Sequence, residues 1–556
     1  RFTMEAVANQ YLRPEGVTYS YGTAGFRTVA ENLPCALFRC GIVAALRSKA
    51  TKQPVGAMIT ASHNPAPDNG VKLVEPNGEM LVMDWEAIAV ELANLPPSEL
   101  EGHISQLMSI HGIDGEEKAV VYVGWDTRPS SLALSQALTA GANCMHATEV
   151  RAVGLCTTPA LHSVVRNVNL GLPDTLDYYF DTMANTFKTL FAACPPPTGA
   201  DVTVVIDCAN GVGRETGLAL QQRLQDCLRI VLYNTGEGTL NAACGAEATQ
   251  KSRQLPEGTP CAGDARLPSD SNSSGPVYYF SVDGDADRLV AFSPWPAAGN
   301  NAIKLFDGDR IIALFCYSLQ RILAQTSSSF QVGAVQTAYA NGASTAFLKA
   351  ANTQVVCVPT GVKHLHHAAK AMDIGVYFEA NGHGTVIYND AFGAFLAQQT
   401  SSSSNPLLTA LCAVPNPCVG DAFADLLMLL GASYILEQMD GSEKWKGDWS
   451  SWWNWYADFP SVQSKVSVAN RNDVTTRDAE RICVSPAGLQ EKIDAAVADC
   501  NAQSADGSAR SFVRPSGTED IVRVYAEAKT QEQADALALE VARAVWDMTN
   551  GVGKRP

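Results

Sequence analysis

Short apolar runs alternate with longer stretches of helical periodicity along most of this chain. Val55–Thr60, Val120–Val123, Val202–Asp207 and Val277–Val282 are rich in β-branched and aromatic residues, as expected of strands buried on both faces. Strands of this kind separated by helical patterns predict an α/β fold. The C-terminal part reads differently. Ser511–Arg514 is a short strand, a Gly-containing loop follows, and Ile521–Ala528 alternates as a second strand. Thr530 with Gln533 forms a capping-box pattern that opens a helix, in which Leu537, Val541, Val545 and Met548 recur at helical spacing. A compact α+β unit is therefore expected behind an α/β body.

Two polar stretches, 258–276 and 398–406, interrupt the pattern and read as surface insertions. The Pro-rich break at Pro195–Gly199 and the Gly/Trp-rich region 441–456 are the candidate boundaries. A chain of 556 residues is too long for one core, and roughly three to five domains are expected. Composition narrows the class. With 46% hydrophobic and 17% charged residues the chain has the balance of a folded, water-soluble protein. No apolar run approaches the ~20 residues that cross a bilayer, and the opening RFTMEAVANQYLRPEG lacks the apolar core of a signal peptide. A cytoplasmic protein without a membrane partner is expected. The formal charge of −17 argues against nucleic acid as a partner, while local basic groups can still bind a phosphorylated small molecule. The 15 cysteines are scattered without CxxC pairs, the distribution of reduced core residues.

Four segments carry candidate chemistry. Thr60-Ala-Ser-His-Asn-Pro65 follows directly on a strand, which places Ser62 on an exposed turn beside His63 and Asn64, with Lys72 close behind. Asp283-Gly-Asp-Ala-Asp287-Arg288 follows another strand; alternate residues of an extended stretch point the same way, so Asp283, Asp285 and Asp287 can converge on one cation. Three hard oxygen ligands suit Mg²⁺ better than zinc. An EF-hand is excluded, since Arg288 and Pro294 stand where that loop needs Gly and Glu. Phe378-Glu-Ala-Asn-Gly-His-Gly384 is a Gly-rich loop whose Glu379 and Asn381 can bond sugar hydroxyls. Arg514-Pro-Ser-Gly-Thr518, with Arg523 beyond it, combines charged forks, hydroxyls and a freed backbone in the manner of a phosphate cradle. The P-loop spacing is absent. Asp207–Gly213 also follows a strand and reads as a structural β–α turn.

Taken in order, these motifs resemble those of the α-D-phosphohexomutase superfamily: TASHNP as a phosphoserine loop, DGDADR as a metal loop, FEANGHG as a sugar loop and RPSGT as a phosphate loop. Tyr21–Arg27, Thr360–His367, the FEANGHG wording and Gly124-Trp-Asp-Thr-Arg128 after the serine loop are similar to the branch acting on N-acetylglucosamine phosphate. The resemblance covers nearly the whole chain. It implies three related α/β domains plus a C-terminal α+β (TBP-like) domain around a central cleft, with segments 1–190, 191–301, 302–452 and 453–556 as the phosphoserine, metal, sugar and phosphate domains. It implies a magnesium-dependent isomerase that moves a phosphate between O6 and O1 of N-acetylglucosamine for UDP-N-acetylglucosamine synthesis. Ser62 would be the phosphoserine and a metal ligand with Asp283, Asp285 and Asp287. Arg27, Lys72 and Arg288 would supply charge, and His63 or Lys72 would carry the proton. Lys363, His364, Glu379, Ala380 and Asn381, with Arg514, Pro515, Ser516, Gly517, Thr518 and Arg523, would bind the sugar phosphate. A monomer or weak homodimer is expected. The alternatives are a glucose or mannose phosphate mutase, a metal-dependent phosphatase, and a sugar-phosphate binding protein without catalysis.

Overall fold

The structure, a computed structural model, describes residues 3–22, 25–196, 202–268, 275–402, 405–441, 449–504, 507–517 and 519–556. Thr518, residues 197–199 of the expected Pro-rich break, residues 442–448 and residues 269–274 of the first polar stretch lie outside them. The described chain forms two compact units. One comprises Arg1–Gly308, Asn381–Thr385 and Leu396–Ser450; the other comprises Asp309–Ala380, Val386–Phe395 and Ser451–Pro556.

The first unit holds two five-stranded mixed sheets on one plan. β1 (Phe26–Val29), β2 (Val55–Ile59), β3 (Asp68–Val74), β4 (Ala119–Trp125) and β5 (Thr148–Leu155) are ordered β1-β3-β2-β4-β5. β2 pairs antiparallel with β3 on one side and parallel with β4 on the other. β6 (Val202–Asp207), β7 (Leu228–Tyr233), β8 (Val277–Val282), β9 (Leu289–Pro294) and β10 (Ile303–Phe306) are ordered β10-β9-β8-β6-β7. Here β8 pairs antiparallel with β9 and parallel with β6. The Ser62 segment joins β2 to β3, and the Asp283 segment joins β8 to β9, so the two loops occupy the same place in their sheets. β10 pairs with β9, so the second sheet runs past the expected boundary at residue 301. After a short 3-10 turn at Pro296–Ala298 the chain folds back, with Trp295 N donating to Ala302 O at 2.8 Å, and β10 pairs with β9.

In the second unit β11 (Val332–Thr337), β12 (Gln354–Val358), β13 (Ile374–Phe378) and β14 (Gly384–Tyr388) are ordered β12-β11-β13-β14. The Glu379–His383 loop joins β13 to its neighbour β14, the same position again. The C-terminal sheet is built from β15 (Ser461–Ser467), β18 (Arg510–Pro515) and β19 (Ile521–Glu527) in the order β15-β19-β18, with a separate hairpin of β16 (Thr475–Arg477) and β17 (Ile482–Ser485). Val466, Val513, Val522 and Val524 face a core shared with Leu489 and Ile493 of helix Leu489–Ser504 and Leu537 and Val541 of helix Gln531–Met548. Thr530 caps the latter helix by accepting from Gln533 N at 3.3 Å. The fold is α/β with a C-terminal α+β part, as the periodicity implies.

Three expectations are corrected. The described part of 398–406 is not an irregular insertion (residues 403–404 lie outside the described residues): helix Asp390–Ser402 runs into it, and Asn405 caps helix Pro406–Cys412 by accepting from Leu408 N at 3.1 Å. Asn as cap and Pro at the first helical position are helix-start signals that serine-rich composition obscured. An apolar run of membrane-spanning length does exist. Helix Ala422–Asp440 is long and apolar enough, but 89% of its apolar window is buried inside the protein, and Asp421 at its N-cap bonds Tyr179 Oη at 2.7 Å. Third, the Trp-rich region is more than a boundary. Trp449 is buried and stacks on Tyr278 at 4.5 Å, and buried Trp452 donates from Nε1 to Arg310 O at 3.1 Å. All fifteen cysteines are free and most are buried.

Candidate active site

Ser62 stands at the exit of β2 with φ +53°, a left-handed conformation that a serine adopts only when its surroundings impose it. Those surroundings are visible. Thr60 Oγ1 accepts from Ser62 N at 2.9 Å and donates to Asp126 Oδ2 at 2.7 Å. Arg128 donates from Nη2 to Ser62 O and Asn64 O, and from Nη1 to Pro65 O and Asp68 O. Its Nε is paired with Asp126 at 3.0 Å, so one buried guanidinium holds the whole TASHNP loop by its carbonyls. Asn241 Nδ2 adds a bond to Ser62 O at 2.9 Å. The expectation of an exposed serine is overturned: Ser62 is 1% exposed. Burial follows from the approach of the metal loop, where a Cβ on Gly284 would meet Ser62 O at 2.5 Å.

Ser62 Oγ donates to Asp283 Oδ2 at 2.6 Å. Asp283, Asp285 and Asp287 are all buried and bring ligand atoms within 4.8 Å of one another. Lys72, from β3, donates from Nζ to Asp285 Oδ2 at 3.0 Å and Asp287 Oδ2 at 2.8 Å. Thr158 Oγ1 donates to Asp285 Oδ2 at 2.6 Å, while the buried Asp285 Oδ1 has no hydrogen-bond partner. Burial and the neighbouring carboxylates push Asp283 well above the ordinary carboxylate range. Burial acts the same way on Asp287, but Lys72 and His383 outweigh it and hold it well below that range. Lys72 is raised because Asp285 and Asp287 together outweigh its burial. Three convergent buried carboxylates, with Asp285 Oδ1 left without a partner, offer the hard oxygen ligands that a divalent cation takes.

Around this centre lie the other first-unit candidates. His63 Nε2 is 3.2 Å from Glu247 Oε2, which directs Nδ1 toward Ser62 Oγ at 3.5 Å, longer than a good hydrogen bond. Burial, Arg288 and Arg27 push the His63 imidazole far below its ordinary pKa, so it is neutral. Arg288 lies 3.8 Å from both Asp283 Oδ2 and Glu247 Oε2. Arg27 donates to Asn64 Oδ1 at 3.2 Å and is lowered by burial and by Arg288. The second half of the FEANGHG loop joins this centre too. Gly382 (φ +89°) accepts from Leu289 N at 3.0 Å, in a space where a Cβ would meet Leu289 O at 1.9 Å. His383 Nδ1 lies 3.3 Å from Asp287 Oδ1. Asn381 Oδ1 accepts from His383 N at 3.0 Å.

In the second unit, Glu379 and Ala380 follow β13 and are half-buried; Lys363 and the exposed His364 stand in the first turn of helix Val362–Lys370. Arg514 is directly opposite Arg523 across β18 and β19, and Arg523 is opposite Lys465 on β15. The alternation that buries Val513, Val522, Val524 and Val466 puts these three cations on the other face. Like charges in direct register destabilise a sheet unless an anion joins them. Ser516 N donates to Ile521 O at 2.9 Å, which closes the loop holding Gly517, while Pro515 ends β18 opposite Val522.

This arrangement can be set beside known proteins. Residues 307–440 match the family profile described as phosphoacetylglucosamine mutase AMG1, domain III; residues 42–94 and 486–544 match phosphoglucomutase/phosphomannomutase domain I and C-terminal domain profiles. The phosphoacetylglucosamine mutase of Homo sapiens is 39% identical over 557 residues, covering 98% of this chain and 97% of the relative. That of Schizosaccharomyces pombe is 40% identical, covering 95% and 99%. The chain belongs to the phosphoacetylglucosamine mutase family.

Among solved structures of the family, the Aspergillus fumigatus N-acetylphosphoglucosamine mutase in complex with GlcNAc-6P and magnesium superposes with a TM-score of 0.84 at 37% identity, covering 98% of each chain. An N-acetylglucosamine-phosphate mutase in its substrate complex gives 0.87 at 38%, covering 98% and 99%. Membership makes this phosphohexomutase chain an isomerase. Several residues of the site escaped the sequence reading. Arg128 and Asp126 stood in a segment noted only as a family mark. Thr158, Asn241, Glu247 and Glu480 lie in no motif, and their roles depend on contacts between distant segments.

Proposed function

We propose that the chain interconverts N-acetylglucosamine 6-phosphate and N-acetylglucosamine 1-phosphate through a phosphoserine at Ser62 and a 1,6-bisphosphate intermediate. The observation that carries this reading is the strained, buried Ser62 with Oγ 2.6 Å from Asp283 in a centre of three carboxylates. Asp283, Asp285 and Asp287 would hold Mg²⁺; the orphaned Asp285 Oδ1 and the convergence of the three carboxylates fit a hard divalent cation. When bound, it neutralises charge on the transferring phosphoryl group.

The protein's own groups do the rest. In the first transfer the Ser62 Oγ–P bond breaks and a P–O1 bond forms on the 6-phosphate sugar, with the O1 proton passing to a base. In the second, Ser62 Oγ takes the phosphoryl group from O6 and the proton returns to the sugar. Lys72 is held as a cation by Asp285 and Asp287, which leaves His63, oriented by Glu247, to accept the proton once the anionic phosphoryl group offsets Arg288 and Arg27. Arg288 and Arg27 add positive charge. Arg514 and Arg523, with Lys465 beside them, receive the phosphate that is not reacting. Glu379, Ala380, Asn381, Lys363 and His364 address the sugar. Comparing turnover on the phosphates of N-acetylglucosamine, glucose and mannose tests the reading. Preference for N-acetylglucosamine phosphate is expected; release of inorganic phosphate instead of isomerisation would replace it with a phosphatase.

A further inference from the structure

Glu480 belongs to none of the motifs, yet its carboxylate joins two of them. Oε1 accepts from Arg514 Nε at 2.9 Å. Oε2 accepts from Thr360 N at 3.1 Å and Thr360 Oγ1 at 2.5 Å. Thr360 immediately precedes Gly361, the cap of the helix that carries Lys363 and His364. Both partners therefore lie on segments that the proposed function assigns to the sugar phosphate.

The backbone that presents Glu480 is unusual. It is the end of the β16–β17 hairpin turn, where Asp478, Ala479 and Glu480 have φ of +54°, +53° and +68°. Consecutive left-handed residues without glycine persist only where the surroundings hold them, and here the bonds to Arg514 and Thr360 do so, with Arg481 pinned to Asp478 at 2.7 Å. These contacts are not needed to join the C-terminal sheet to the rest of its unit. Arg510 already donates to Ala338 O at 2.8 Å, Glu527 receives Gly342 N at 3.2 Å, and Tyr339 packs on Phe512 with ring centroids 5.1 Å apart.

The bond geometry states what Glu480 does for Arg514. A guanidinium has five N–H donors in a rigid plane, and a carboxylate on Nε fixes that plane while using only one of them. The Nη groups, with the Tyr339 side chain beside them, remain for phosphate oxygens. The Glu480 side chain is 16% exposed and that of Arg514 18%, so the pair is largely removed from water, where an ion pair holds its geometry better than at the surface. We propose that Glu480 is a positioning residue: it orients Arg514 for the substrate phosphate and, through Thr360, sets that guanidinium in register with the helix turn carrying Lys363 and His364. This rests on the function proposed above, since it takes the ligand to be a sugar phosphate.

The test uses the full chain with Glu480→Ala, Glu480→Gln and Thr360→Val. N-Acetylglucosamine 6-phosphate binding is measured by calorimetry and turnover by steady-state kinetics. Losing the charge-assisted bond should raise both Kd and KM about tenfold in Glu480→Ala and leave kcat within about threefold. Glu480→Gln keeps an oxygen for Arg514 Nε and an amide donor for Thr360 Oγ1 but takes the acceptor from Thr360 N, and should recover part of the loss. Thr360→Val should show a smaller rise of the same kind. Unchanged Kd in Glu480→Ala would overturn the proposal. Tighter binding would overturn it as well, because it would make the carboxylate a competitor of the phosphate at Arg514. If Glu480→Ala does not fold, the Kd of Glu480→Gln and Thr360→Val decides. A wild-type chain that binds the sugar phosphate without isomerising it would contradict the proposed function, while the calorimetric comparison still decides the role of Glu480.

Discussion

Arg128 Nη2 donates to the carbonyl oxygen of Ser62 at 2.9 Å across 66 residues of sequence. Four backbone carbonyls and Asp126 share this one guanidinium. A lysine has neither the planar fork nor enough donors to replace it. Arg128→Lys should therefore lower unfolding stability by about 3 kcal/mol, since it leaves Asp126 and several carbonyls buried and short of partners. It should cost activity beyond the stability loss, because the strained turn at Ser62 relaxes. Denaturant unfolding and turnover at a temperature where the variant is folded check both parts; wild-type stability would show that the clamp is dispensable.

Thr158 gives a sharper test of the acidic centre than the aspartates themselves. Its hydroxyl orients Asp285 by the 2.6 Å bond to Oδ2, leaving Oδ1 for the cation. Thr158→Val keeps shape and removes that bond, so the Mg²⁺ concentration needed for half-maximal turnover should rise by roughly 10–100-fold. Asp285→Asn should do at least as much and lower the maximal rate too. A magnesium titration of the two variants measures this, and an unshifted curve for both would remove Asp285 from the metal site.

His162 sets an acid limit on stability. It is 1% exposed with Nδ1 2.6 Å from Gly78 O, and burial lowers its pKa from 6.5 to about 4. Between those values the unfolded chain binds a proton that the folded chain refuses, so stability rises with pH across that window. The contribution is complete above about 6.5 and is lost as pH falls to about 4, a change of roughly 3 kcal/mol. Denaturation midpoints at pH 7 and pH 4.5 should therefore differ less in His162→Gln than in the wild type. Equal differences would place the acid sensitivity in other groups.

The sequence made the loops legible because each follows a strand and carries its chemistry within a few residues. Asp283, Asp285 and Asp287 converge as expected, but on a turn, with Asp283 O accepting from Ala286 N at 3.0 Å and Ala286 at φ +57°, rather than by alternation in an extended stretch; the three related loops fall at equivalent strand connections in their sheets. What escaped depends on long-range geometry. Ser62 is buried by the Gly284 backbone, 222 residues away, and no local pattern announces that. The register that aligns Arg514, Arg523 and Lys465 joins strands separated by the hairpin and a helix, so Lys465 carries no local signal. Half of the expected sugar loop turned out to brace the metal loop, since Gly382 and His383 bond to Leu289 and Asp287. Gly382 is required there by contact with the backbone of Leu289.

Arg514 separates phosphate binding from chemistry. Its guanidinium is held by Glu480, and its charge-assisted bonds to a phosphate are worth roughly 1.5–3 kcal/mol. Arg514→Ala should weaken sugar-phosphate binding by about one to two powers of ten and release free 1,6-bisphosphate during turnover; each release leaves Ser62 unphosphorylated, so added 1,6-bisphosphate should restore turnover. Calorimetry and product analysis check this. Loss of the phosphoserine at unchanged affinity would assign Arg514 to the reacting phosphate.

The most direct measurement is a peptide mass map of the chain after incubation with N-acetylglucosamine 1,6-bisphosphate and Mg²⁺, read for one added phosphoryl group. That group is expected on the peptide containing Ser62, kept there while added N-acetylglucosamine 6-phosphate is converted to the 1-phosphate because the second transfer restores it, and absent with all turnover in Ser62→Ala. Turnover with no phosphate on that peptide, or sustained turnover by Ser62→Ala, would contradict it.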